Sequence, residues 1–247
     1  MSVHPLVICL AGAGSRTGRA FDIFANVIRY LIVAGGYVRA DFVEGAYRVD
    51  SDGAPLTYGP EDSTASLAQA TRSVCRSLEW FRRSHDRRLH LLGWSFGGAA
   101  FFDAVASLLV EDPDWSTSIG ALVTFSSPLL GCDVDGIDLI GTAAAGDVGA
   151  DLCRRATDDD EKRRVRQDAA RLRANGIRLV TLAAEDDAVV TPEDSLLPAI
   201  GPEPSAFILR PRPRPGAPYL ETVLGHGALP NDPTCWRKVL DALGPAE

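Results

Sequence analysis

Short, unbroken apolar runs alternate along the chain with longer stretches in which apolar residues recur every three or four positions. PLVICLA, beginning at Pro5, is one such run, ended by glycines, and it predicts a strand buried on both faces. Residues 17–36, TGRAFDIFANVIRYLIVAGG, set Phe21, Phe24, Val27, Ile28 and Leu31 at helical spacing and stop at a glycine pair. YVRADFV from Tyr37 predicts a second strand, and the Gly-, Pro- and Asp-rich stretch after it a loop. A helix is expected from about residue 63 to 84, with Leu67, Thr71, Val74, Leu78 and Phe81 on one face. RLHLLGW, SIGALVTFSS, GIRLVTLAAE and SAFILR supply four more strands, while FGGAAFFDAVASLLV and DPTCWRKVLDALG read as helices. Residues 128–175 interrupt the alternation with short helix-like pieces and a charged helix, DDDEKRRVRQDAARLRANG.

Strands alternating with helices predict the α/β class: a mostly parallel, doubly wound sheet of about six strands, helices on both faces and a helical insertion after the fourth strand. No repeat and no linker divides the chain, so residues 1–247 read as a single domain. Ligands of such sheets bind beyond the carboxyl ends of the strands, which makes the loops after each strand the place to seek chemistry.

Composition narrows the function classes. With 46% apolar and 23% charged residues, the chain is an ordinary globular one, and no apolar run is long enough for a membrane span. MSVHPLVICLAGAG lacks the basic start and long apolar core of a secretory signal, so a cytoplasmic location is expected. Five cysteines without CxxC spacing support neither a disulfide framework nor a zinc site. A net charge of −8 argues against a nucleic-acid partner, and the basic clusters RRSHDRR and RPRPRP read as solvated surface.

Gly93-Trp94-Ser95-Phe96-Gly97 lies between a predicted strand and a predicted helix, the context of a nucleophile elbow. There a strained turn exposes the serine, and small neighbours let strand and helix close around it; the alternative is a plain helix-capping serine. AAEDDAVVTP after the fifth strand offers Asp186 and Asp187, costly to bury without partners and suited to orienting an imidazole. Of the four histidines, His226 sits in a glycine-flanked loop after the last strand, while His90 alternates within a strand. LAGAGS after the first strand can present backbone N–H groups to an oxyanion, with Ala13 and Phe96 as the donors. Serine, acid and histidine thus follow in the order a Ser95–Asp187–His226 triad requires.

These motifs resemble the α/β-hydrolase family, in the small lipase and esterase branch, over nearly the whole chain. GWSFGG matches its elbow, and AGAG stands where members carry His-Gly-x-Gly, with Ala11 replacing the histidine. Asp187-Ala188-Val189-Val190-Thr191-Pro192 fits the family's acid loop, which favours Asp187 and keeps Asp186 as alternate. The resemblance implies hydrolysis of a small-molecule or lipid ester through an acyl-enzyme, with no metal and no cofactor. LHLLGWSFGGAAFFDAV is equally similar to thioesterase domains, which implies a carrier-bound acyl substrate, an acyl carrier protein as partner and an acid at Asp133 or Asp135. The family often builds a lid where residues 128–175 lie, and Ile137, Leu139 and Ile140 there suit a cover over an acyl pocket. Phe101 and Phe102 read as core, and Arg210-Pro-Arg-Pro-Arg-Pro as a stiff spacer or a contact for an acidic carrier. Two further classes bear on the same residues. Gly12-x-Gly14-x-x-x-Gly18, with Glu44 as ribose acid, departs from the dinucleotide-binding fingerprint at Thr17. A non-catalytic ligand-binding protein on the same scaffold would be favoured by a missing triad member.

Overall fold

The computed structural model describes residues 4–133, 135, 142–199, 205–211 and 225–244. Six strands form one sheet: β1 (Leu6–Leu10), β2 (Phe42–Glu44), β3 (Leu89–Trp94), β4 (Ile119–Phe125), β5 (Arg178–Ala184) and β6 (Ala206–Leu209). Their order is β2-β1-β3-β4-β5-β6 and every pairing is parallel. The long helices are α1 (Ala25–Gly35), α2 (Leu67–Ser84), α3 (Phe96–Glu111), α4 (Thr142–Thr157), α5 (Asp159–Ala174) and α6 (Pro233–Leu243).

Alternation along β1 divides the core in two, because successive strand residues face opposite sides of a sheet. Leu6, Ile8 and Leu10 pack with α2, α3, Val148 and Leu152 of α4, and Val165, Ala169 and Leu172 of α5. Val7 and Cys9 pack on the other face with α1 and α6. All residues of β3 and β4 are buried, so both strands are covered on two sides, as their unbroken apolar runs require. Phe101 and Phe102 lie wholly inside the first of these cores.

The insertion after β4 does not stand apart. Buried Arg155 of α4 reaches Asp103 on α3 at 2.7 Å, Glu161 of α5 at 3.5 Å and the Leu129 carbonyl at 3.4 Å. Ile137, Leu139 and Ile140 lie outside the described residues. Of the Arg-Pro run only Arg210 and Pro211 are described, and Arg210 pairs with Glu185 at 2.6 Å. Much of the RRSHDRR cluster is tied to the fold: Arg82 to Asp112 at 3.0 Å, Arg87 to Asp41 at 2.5 Å. No helix among the described residues is long and apolar enough to cross a membrane.

Three boundaries differ from the sequence pattern. The first helical stretch bends at Phe24 between Arg19–Ile23 and α1, and the Phe24 ring turns in to meet Phe125 edge-on at 5.1 Å. The strand expected from Tyr37 is extended only over Phe42–Glu44, because the Asp41 carboxylate accepts the Val38 N–H at 2.7 Å and closes a tight turn. The helix expected from residue 63 begins at Leu67, where the Ser66 hydroxyl caps it by accepting the Gln69 N–H.

His90 is buried in β3. Burial, with Arg178 and Arg88 nearby, pushes its pKa from 6.5 down to about 3. Between those values the unfolded chain binds a proton that the folded protein does not, so stability is lost as pH falls through that window. The limiting slope for one such group is about 1.4 kcal/mol per pH unit. Urea unfolding at stepped pH is expected to show this decline from pH 6.5 to 4, and His90→Asn to flatten it. Equal slopes in both proteins would remove His90 from the account.

Candidate functional site

The strand order reverses at β1, which lies between β2 and β3, and in sheets of this kind the ligand crevice is expected at that point, beyond the carboxyl ends of β1 and β3. Ser95 stands at its edge, directly after β3 and directly before α3. Its φ of 55° and ψ of −133° lie in a region that L-residues rarely occupy. The turn is held by its own N–H, which donates to the Phe125 carbonyl at 2.8 Å. It is possible because nothing projects into it. A Cβ on Gly93 would come within 2.4 Å of the Gly98 Cα, and one on Gly97 within 2.5 Å of the Ala11 carbonyl oxygen. The Ser95 hydroxyl makes no capping bond to α3. It lies 2.8 Å from Nε2 of His226 instead.

His226 Nδ1 in turn lies 3.0 Å and 3.1 Å from the two carboxylate oxygens of Asp187. The carboxylate also accepts the N–H groups of Val189 and Val190, each at 3.0 Å, which fixes its direction. Asp187 and His226 are buried, whereas the adjacent Asp186 is exposed. With Nδ1–H donating to a carboxylate, Nε2 is left as the acceptor facing the serine. The His226 loop is docked from two sides. Gly225, at φ 70°, lies so close to the acid loop that a Cβ would meet the Asp186 carbonyl oxygen at 2.5 Å. The Trp94 indole N–H donates to the His226 carbonyl at 3.0 Å, its ring 5.1 Å from the imidazole.

Phe96 follows the serine directly, and Ala13 follows Gly12, where an added Cβ would lie 2.8 Å from the Ser95 Cβ. Phe96 is the first residue of α3, so its N–H has no partner within the helix, and the helix dipole adds positive potential there. Ala13 is half-buried, and its N–H donates to no protein group among the described residues. Its loop is fastened from the segment that follows β2. Ser63 Oγ donates to the Ser15 carbonyl at 3.1 Å, and the Tyr58 N–H donates to Thr17 Oγ1 at 2.9 Å. Glu44 accepts the N–H groups of Gly18 at 2.5 Å and Ala20 at 3.0 Å. Its carboxylate therefore fills the helix start where a dinucleotide phosphate would bind. Desolvation raises the Glu44 pKa, against the pull of those two N–H groups.

The structure thus joins Ser95, His226 and Asp187 in one chain of contacts, with Phe96 next to the serine in sequence and Ala13 next to Gly12, which packs against Ser95. It does not bring in Asp186, Asp133 or Asp135, all exposed. The pattern reading missed Trp94, Ser63, Gly225 and the capping role of Glu44. For Gly225 the signal was present, a glycine beside the histidine; for the rest it was not.

The fold is that of the α/β-hydrolases. In fold the chain is similar to lipase B of Aspergillus fumigatus, with 15% identity over 99% of this chain and 54% of that one, at a TM-score of 0.55. It is also similar to a cutinase-like protein from Cryptococcus sp., with 13% identity, 99% and 97% of the two chains covered and a TM-score of 0.50. Phospholipase PlaB from Legionella pneumophila, in complex with thio-NAD, gives 13% identity and a TM-score of 0.51. That match covers 73% of this chain and only 38% of the phospholipase. No protein-family profile matches the sequence, and no curated protein does.

Proposed function

We propose that the protein is a serine hydrolase that cleaves a carboxylic ester through an acyl-enzyme. The observation that carries this reading is the unbroken relay from Ser95 Oγ to His226 Nε2 at 2.8 Å and from His226 Nδ1 to Asp187 at 3.0 Å. His226 takes the serine proton as Oγ attacks the ester carbonyl. Asp187 holds the imidazole in the required tautomer and stabilises its charged form. The N–H groups of Ala13 and Phe96 receive the oxyanion, each such donor accounting for about a hundred- to a thousandfold in rate. His226 then returns the proton to the departing alcohol. Water, activated by the same nitrogen, releases the acid and restores the serine. The proteins of similar fold are named a lipase, a cutinase-like protein and a phospholipase, which supports an ester as substrate.

A fluorophosphonate probe read by intact mass tests the proposal. One adduct is expected on the wild type and none on Ser95→Ala or His226→Ala. A wild type that stays unlabelled has no activated serine, and the hydrolase reading is then wrong. Comparing p-nitrophenyl esters with acyl thioesters on labelled-competent enzyme separates an esterase from a thioesterase.

A further inference from the structure

Gly12 has to be glycine, since a Cβ there would lie 2.8 Å from the Cβ of Ser95 and 3.3 Å from the Trp94 ring. The same lack of a side chain leaves the peptides on either side of it free to turn. Yet the Ala13 N–H must keep its direction closely if it is to receive an oxyanion, because small misplacements are costly in rate. Something outside the loop must therefore fix it.

Tyr47 meets that need from the loop after β2. Its buried hydroxyl donates to the carbonyl of Ala11, the residue immediately before Gly12. On its other side that carbonyl abuts Gly97, where a Cβ would come within 2.5 Å of the oxygen. The Tyr47 ring lies flat against the ring of Phe96, with centroids 5.7 Å apart and planes 8° apart. Tyr58 meets it edge-on at 5.4 Å. One side chain thus touches both segments that carry the donor N–H groups, its hydroxyl on the loop after β1 and its ring on Phe96. Burial pushes the Tyr47 phenol pKa well up from its ordinary value, so the hydroxyl remains a donor into the alkaline range.

We infer that Tyr47 is a positioning residue that sets the spacing of the two oxyanion donors, an inference that rests on the serine-hydrolase reading above. It touches no reacting atom and acts by holding the Ala11 peptide still beside the flexible joint at Gly12.

Tyr47→Phe keeps the ring and removes only the hydroxyl. With p-nitrophenyl butyrate, kcat is expected to fall about 10- to 100-fold while KM stays within about twofold. The inhibition constant of an alkyl trifluoromethyl ketone, whose serine adduct carries the oxyanion, is expected to rise by a similar factor. A merely structural tyrosine would lower the melting temperature and leave both readouts of the folded enzyme unmoved, so a folded variant with wild-type kcat overturns the inference. If Tyr47→Phe does not fold, Ser63→Ala, which frees the Ser15 carbonyl at the far end of the loop, should give the same split, and wild-type kinetics there would overturn it. A wild type that neither cleaves the ester nor takes up a fluorophosphonate sinks the hydrolase reading and this inference together. A wild type that does both, matched by Tyr47→Phe, sinks this inference alone.

Discussion

Replacing His226 by alanine is expected to lower ester turnover by about a millionfold, and Ser95→Ala by as much. The double variant should be no worse than either single one, because the two groups act as a unit. Asp187→Asn is expected to cost less, about ten-thousandfold. An asparagine can still accept the Val189 and Val190 N–H groups with its oxygen, at the 3.0 Å now observed. Its amide then turns a donor toward His226 Nδ1, which favours the tautomer with the proton on Nε2, facing Ser95. The imidazole stays in place but cannot take the serine proton. Values of kcat/KM with p-nitrophenyl butyrate check the series. An Asp187→Asn enzyme within tenfold of wild type would mean that another carboxylate serves, and Asp186, Asp133 and Asp135 would then need testing.

The largest stability effect is expected at Arg155. Burial alone would push its guanidinium pKa down, but Asp103 and Glu161 more than offset this, and the charge is held firmly. Arg155→Leu leaves Asp103 buried without its counterion, a situation that costs about 3–5 kcal/mol. Because Asp103 belongs to the helix that directly follows Ser95, the loss also loosens the packing of α4 and α5 on α3. Changing both partners, as in Arg155→Leu/Asp103→Leu, is expected to recover most of the stability, since paired removal leaves no stranded charge. Urea denaturation of the wild type, Arg155→Leu, Asp103→Leu and the double variant closes the cycle. A cost below about 1 kcal/mol for Arg155→Leu would place the pair among the weak surface-like interactions.

How legible the molecule is in its sequence depends on the reach of the forces involved. The apolar runs of β1, β3 and β4 fixed those strands because burial on both faces tolerates little else, and the shorter runs of β5 and β6 were legible by their place in the alternation. The elbow was legible for the same reason: its glycines and Ser95 are adjacent in sequence and interrupt a strand-to-helix change. The break at Phe24 and the shortness of β2 were not legible. Both depend on distant partners, Phe125 for the Phe24 ring and Arg87 for the Asp41 carboxylate. Of the adjacent Asp186 and Asp187, the second faces inward because Val189 and Val190 hold its carboxylate. The family-like register pointed to it, whereas composition alone left the two equal. Tyr47, Ser63 and the helix-capping role of Glu44 escaped notice because the partners lie 24 to 48 residues earlier in the chain. A tyrosine in a polar loop gives no sign of the carbonyl it will meet.

Ser95 and His226 are 131 residues apart. A ribosome adds about 5 to 20 residues per second, so Ser95 emerges roughly 7 to 26 seconds before the imidazole that faces it. Among the described residues, the side chains that hydrogen-bond the loop after β1 from β2 and the segment following it, Glu44, Tyr47 and Ser63, precede Ser95 in the chain, so this cradle can assemble around a hydroxyl that has no base. On the hydrolase reading, the growing polypeptide is therefore chemically silent toward esters until the His226 loop docks. The onset of turnover then marks the docking of that loop.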